Sequence, residues 1–315
     1  MTAAAAPRHA SHPDFPVIDA HVHLYPDEIA AKVTPALAHR FGNAPSFDGT
    51  VAGCAACDAA AGIAASLNLP VATKPDSVDH TNAFWAAHAP HAPRAAAPRA
   101  PRAAAPHAAA PRAAVFSLAA FHPDVADKGA AVERIAAAGF TGIKLHPEYQ
   151  CFRFNERRMD DAWAAMSELG VAAYLHAGGE RVFNPPYHST PAEIAELQRR
   201  FPKLTIVAAH LGGFGMWNEA EAMLVGTDVN LDLSHTFAWM PGEQLLRMVR
   251  RHGAHRILFG TDAPWQDPRT VLESFLALPL ADAERRAICH DNAARLFGLA
   301  AAAPAAAAAA QGAPQ

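Results

Sequence analysis

Val17-Ile18-Asp19-Ala20-His21-Val22-His23-Leu24 is a short apolar run of strong β-formers that ends in two histidines. Side chains alternate between the two faces of a strand, so His21 and His23 project from one side. A His-x-His pair alone decides nothing. Its meaning depends on which other polar groups fall at equivalent places along the chain.

Working outward, similar runs recur at Ala65–Val71, Val115–Phe121, Gly142–His146, Val171–His176, Thr205–His210, Asn230–Ser234 and Ile257–Thr261. Segments of helical period separate them. Asn155–Leu169 sets Met159, Trp163 and Met166 on one face and stops at Gly170, a residue suited to a helix C-terminus. Thr190-Pro191-Ala192-Glu193 has the form of a capping box with proline at the first helical position. Asp124–Ala138, Pro241–His252 and Ala281–Phe297 are followed by Gly139, Gly253 and Gly298. Strands alternating with helices imply a mainly parallel sheet, and the expected architecture is an α/β protein with a closed (β/α)8 TIM barrel. An open doubly wound sheet is the alternative. Against it, the turn after the first strand, His21-Val22-His23-Leu24-Tyr25-Pro26, lacks the glycine fingerprint of a dinucleotide site.

The ends of these strands carry His21 and His23, His122, Lys144 and His146, His176, His210, Ser234 and His235, and Asp262. In a barrel all of them sit at the C-terminal mouth, where barrel enzymes keep their active sites. Closure sets the last strand beside the first, so Asp262 becomes a neighbour of His21 and His23, with His176 across the mouth. Imidazole nitrogens plus one carboxylate oxygen form the ligand set of a catalytic zinc or similar divalent metal.

The rest of the sequence narrows the class of chemistry. The 315 residues are 51% hydrophobic, enough for a large core. A net charge of −4 gives no general attraction to nucleic acid or anionic lipid, so a small-molecule substrate is expected. No apolar run has the length of a membrane span or the form of a signal peptide, and a cytoplasmic location is expected. Cys54 and Cys57 form a C-x-x-C inside Thr50–Ala61, which reads as helix and has no second pair to complete a zinc site. Cys151 and Cys289 are isolated. The barrel domain is expected over residues 15–299, between Ala/Pro-rich disordered tails at 1–14 and 300–315. An Ala/Pro/Arg insert at 86–114 interrupts it and is expected to be an extended, solvated linker.

Val17–Tyr25, Gly142-Ile143-Lys144-Leu145-His146-Pro147, His176-Ala177-Gly178-Gly179, His210-Leu211-Gly212-Gly213, Leu258-Phe259-Gly260-Thr261-Asp262 and Asn292-Ala293-Ala294-Arg295-Leu296 together resemble the amidohydrolase superfamily. The similarity is to its amidohydrolase-related (amidohydrolase 2) branch of metal-dependent hydrolases. It implies a distorted TIM barrel with metal ligands at His21, His23 and His176. It also implies Asp262 as ligand or proton-transfer group, and His210 close to the metal or the substrate carbonyl. One divalent ion per chain is expected, zinc or else manganese. The activity expected first is hydrolysis of an amide, lactone or other ester. The same branch includes lyases, so non-oxidative decarboxylation or hydration of a small aromatic or unsaturated acid is the alternative. Lys144, His146, Arg181, His188 and Trp265 are the expected substrate contacts, with Tyr25, Trp217 and Trp239 as further pocket walls. A barrel that binds without turnover is a third reading, and a homo-oligomer is allowed.

Overall fold

The computed structural model describes residues 13–89 and 113–299. The strands are β1 (Ile18–Val22), β2 (Ala65–Asn68), β3 (Ala114–Ser117), β4 (Ala119–Ala120), β5 (Gly142–Leu145), β6 (Ala172–Leu175), β7 (Ile206–Ala208), β8 (Asn230–Asp232) and β9 (Ile257–Leu258). Every pairing is parallel, in two runs, β1-β2-β3 and β4 through β9. Two seams join the runs. At the first, β3 and β4 are halves of one strand interrupted at Leu118, whose N–H donates to the Asn68 carbonyl at 3.0 Å. At the second, β1 meets the end of β9: Ala20 N–H donates to Phe259 (2.9 Å), Asp262 N–H to His21 (2.8 Å) and His23 N–H to Ala263 (2.7 Å). With β3 and β4 taken together, this is the eight-stranded TIM barrel that the strand count predicted.

Buried side chains build the seam as much as the backbone does. The Asp19 carboxylate accepts the Thr261 hydroxyl (2.5 Å) and the N–H groups of Thr261 and His21 (3.0 Å each), riveting the first strand to the last. Gly260 is needed here because a Cβ would lie 2.9 Å from that of His21. Inside the barrel, Ile18, Ala20, Leu67, Phe116, Tyr174, Val207 and Leu258 pack with Phe297 of the last helix. A larger apolar layer fills the space between strands and helices.

The helices follow the sequence signals, with local differences. Met159, Trp163 and Met166 are fully buried, and Gly170 closes their helix in the left-handed conformation at φ 63°. Thr190 caps Pro191–Arg200 by accepting the Glu193 N–H, but Glu193 turns its carboxylate to Arg153 instead of completing the capping box. The final helical stretch contains a π-helical turn at Ala287–Asp291. Helices Asp27–Phe41, Trp217–Met223 and Pro268–Leu276 add to those read from the sequence. The first carries Pro35 in its interior, which masks it as a pattern. The insert expected at 86–114 is narrower: residues 86–88 end the helix Val78–His88, and Ala114 begins β3. Its middle, 90–112, and the tails at 1–12 and 300–315 lie outside the described residues. Among the described residues no helix is long and apolar enough to cross a membrane, and the cysteines are unpaired.

Candidate metal centre and active site

His21 is the penultimate residue of β1, where its register against β2 shifts, and the ring reaches inward to Tyr174 and His210. There His21 Nε2, His23 Nε2 and Asp262 Oδ1 meet. The two nitrogens are 3.2 Å apart and lie 3.2 and 3.0 Å from the oxygen. The other Asp262 oxygen is 3.2 Å from His235 Nε2. His210, His235 and Asp262 all stand at positive φ (57°, 54° and 66°), the strained turn by which each strand end swings its side chain over the mouth.

The donor set fits a divalent metal. Asp262 Oδ1 accepts no hydrogen bond although it is buried and two ring nitrogens are within 3.2 Å. His23 explains half of this, because its Nδ1 lies 3.1 Å from the Leu69 carbonyl. The ring proton belongs there, which leaves Nε2 as a bare lone pair facing the carboxylate. Lone pairs gathered this closely repel unless a cation stands among them. Ligands sharing one ion at about 2.0–2.2 Å are spaced in this way. The same logic applies to His176. Its Nε2 faces the Gly179 carbonyl (3.1 Å), so its Nδ1 is bare toward His210 Nε2, also at 3.1 Å.

Electrostatics favour the ligating forms. Burial pushes His21 down to about 4, helped by Lys144, and His210 down to about 3, so both rings are neutral at neutral pH. His176 is likewise held well below its ordinary value by burial and by His146 and His210. Burial would raise Asp262, but His21, His235 and His23 outweigh it and keep the carboxylate ionised. Lys144 is fully buried on β5, and burial brings it down to about 8. Its Nζ has no hydrogen-bond partner and lies 5.3 Å from the Tyr174 ring centroid.

The opposite wall has similar residue types in a different arrangement. His146 and His176 stack with centroids 3.9 Å apart and planes at 10°, and His146 Nε2 is 3.6 Å from Glu180. Gly178 makes the next contact possible: a Cβ there would lie 2.2 Å from Phe214 N, and that close passage ties the loop after β6 to the loop after β7. His188 is bound by Glu148 through its N–H and Nδ1, at 2.5 and 3.0 Å. Arg181 is exposed, with its guanidinium 5.0 Å from the Trp239 ring centroid, at the rim beside Phe214 and His235. Trp265 packs edge-on against Phe41, and Trp217 donates to the His210 carbonyl (3.0 Å), so both wedge the framework. His122 accepts the Asp124 N–H and belongs to a turn.

Sequence reasoning missed Asp232, Tyr174 and Glu180 and gave no role to His235. Asp232 lies inside the apolar run Asn230–Ser234, where a carboxylate on a buried strand was the available signal. Tyr174 reads as ordinary core, and Glu180 lies beyond the strand end.

The sequence profile of the amidohydrolase family matches residues 18–299. No curated protein matches the chain. Solved structures share the fold across 90% of it. An uncharacterized TIM-barrel protein from Bordetella bronchiseptica is 20% identical, covered over 98% of its chain, with a TM-score of 0.67. A 5-carboxyvanillate decarboxylase from Novosphingobium aromaticivorans, complexed with manganese, is 14% identical over 96% of its chain, with a TM-score of 0.64. A probable 2-pyrone-4,6-dicarboxylic acid hydrolase from Acinetobacter baumannii is 14% identical over 99% of its chain, with a TM-score of 0.59. With the profile running from the first strand of the barrel to its last helix, the chain belongs to the amidohydrolase family of enzymes.

Proposed function

We propose that this enzyme is a metal-dependent hydrolase that cleaves an amide, lactone or other ester bond of a small molecule in the cytoplasm. One observation carries the reading: His21 Nε2, His23 Nε2 and Asp262 Oδ1 converge within 3.2 Å while the second Asp262 oxygen remains with His235. His21, His23 and Asp262 would hold one zinc or manganese ion, with His176 and His210, whose bare nitrogens face each other at 3.1 Å, as further candidate ligands. When bound, such an ion supplies the Lewis acidity that brings the pKa of a water to about 7. Asp262 accepts the proton of the attacking water and returns it to the leaving group. His235 keeps the carboxylate oriented for that exchange.

Lys144 favours a second reading, a non-oxidative decarboxylase or hydratase acting on a small aromatic or unsaturated carboxylic acid. An ammonium buried in the mouth without a partner suits a substrate carboxylate. The fold is also shared with a decarboxylase. His146 would line the substrate, while Arg181 and Trp239 would form the rim.

The test is to assay metal-loaded protein against lactones, amides and aromatic or unsaturated carboxylates while following carbon dioxide. Hydrolysis without gas is expected. Gas release, or addition of water to an unsaturated acid, would select the second reading, and full activity in metal-free protein would overturn both.

A further inference from the structure

Asp232, at the end of β8, is fully buried and takes part in none of the steps above. One of its oxygens accepts the Tyr174 hydroxyl (2.6 Å) and faces His21 Nδ1 (2.8 Å). The other accepts the N–H groups of His210 and Ser234 (2.9 Å each) and the Ser234 hydroxyl (2.5 Å). We infer that Asp232 is a positioning residue that sets the tautomers of both His21 and His210, and thereby the affinity of the centre for a divalent metal. This rests on the metal-dependent reading above.

The argument is one of proton bookkeeping. A carboxylate so surrounded only accepts, so His21 must carry its proton on Nδ1. Its Nε2 is then bare toward His23 and Asp262. The Ser234 proton is already given to Asp232, so Ser234 Oγ accepts from His210 Nδ1 at 2.8 Å, with the Ser234 carbonyl a second acceptor at 3.3 Å. His210 Nε2 is thereby bare toward His176 Nδ1. One buried carboxylate thus turns a lone pair of each ring into the mouth. The two backbone N–H bonds also pin the turns that carry His210 and Ser234.

Asp232→Asn separates this role from mere packing. The fixed N–H groups of His210 and Ser234 hold the amide oxygen, so the amide NH2 faces His21 Nδ1. That ring must then move its proton to Nε2 and loses its ligating lone pair. The 15N spectrum of the metal-free protein should show His21 switching from the Nδ1–H to the Nε2–H form. Affinity for zinc or manganese, measured by chelator competition, should fall about 10–100-fold. Ser234→Ala removes a hydroxyl that lies 2.8 Å from His210 Nδ1 and 3.0 Å from His21 Nδ1 but leaves Asp232 in place, and should cost less metal affinity. Wild-type affinity together with an unchanged His21 spectrum in Asp232→Asn would overturn the inference. Should that variant not fold, a wild-type His21 found in the Nε2–H form in the metal-free 15N spectrum would overturn it. Wild-type protein that takes up no metal would defeat the hydrolase reading instead, leaving the ring spectra of the metal-free proteins to judge Asp232.

Discussion

Asp262 at the mouth and Asp58 on the flank are both buried carboxyl groups, and their surroundings drive them in opposite directions. Asp58 sits in the helix Val51–Ala61, where it accepts the Ser66 hydroxyl (2.7 Å) and the Cys54 thiol (3.4 Å). Its other oxygen has no partner. Burial dominates there and pushes its pKa up to about 6. At Asp262 the same desolvation is outweighed by His21, His235 and His23, and the group stays ionised. Burial of an acid is therefore no sign of function. Convergence of imidazoles on an ionised carboxylate is what the proposed metal site rests on, because it leaves a buried charge that a cation would satisfy.

The contrast can be broken first at the mouth. Asp262→Asn should lower turnover by about 10²–10⁴-fold, as expected for loss of a proton-transfer group, and should reduce the metal content of the purified protein. An active variant with full metal would refute the role given to Asp262. Next, His23→Ala and His176→Ala should each lose metal, measured by elemental analysis, with their circular dichroism unchanged. Retention of the ion in His176→Ala would confine the ligands to the β1/β9 seam. A smaller effect is expected on the stacked wall: Glu180→Gln should raise KM while the metal is kept, and loss of the metal would show that Glu180 is itself a ligand.

The smallest effect belongs to the flank. Asp58 has a folded pKa of about 6, raised from an ordinary value of 3.8, so the unfolded chain releases its proton first as pH rises. Its contribution to stability is complete below about pH 4 and is lost as pH rises through 6, a difference of at most about 3 kcal/mol. Asp58→Asn should therefore melt higher than wild type at pH 8 and the same at pH 4. An equal shift at both pH values would show that the carboxyl is not the cause.

Much of this was legible because it is local. The β1 run, the glycines after the helices and the polar residues closing each apolar segment follow from strand and helix periodicity. The interruption of the third strand at Leu118 was not legible, since Val115–Phe121 reads as continuous and the break is where its partner changes from β2 to β5. Pro35 hid the first helix. Arg181, His188 and Trp265 were placed near the mouth by position alone, but their side chains are engaged by Trp239, Glu148 and Phe41. Asp232 went unnoticed because its importance lies in what it accepts from other strands.

By itself the sequence determined the barrel and which histidines, with Asp262, fall at its strand ends, because strand ends and alternation are encoded over a few neighbouring residues. Only the tertiary structure decided which nitrogen of each ring is bare. That depends on the acceptor the fold sets against each ring: the Leu69 carbonyl, 46 residues away, for His23, Asp232, 211 residues away, for His21, and, in the turn after β6, the Gly179 carbonyl for His176. An imidazole can ligate only through the nitrogen that its other neighbour leaves unprotonated.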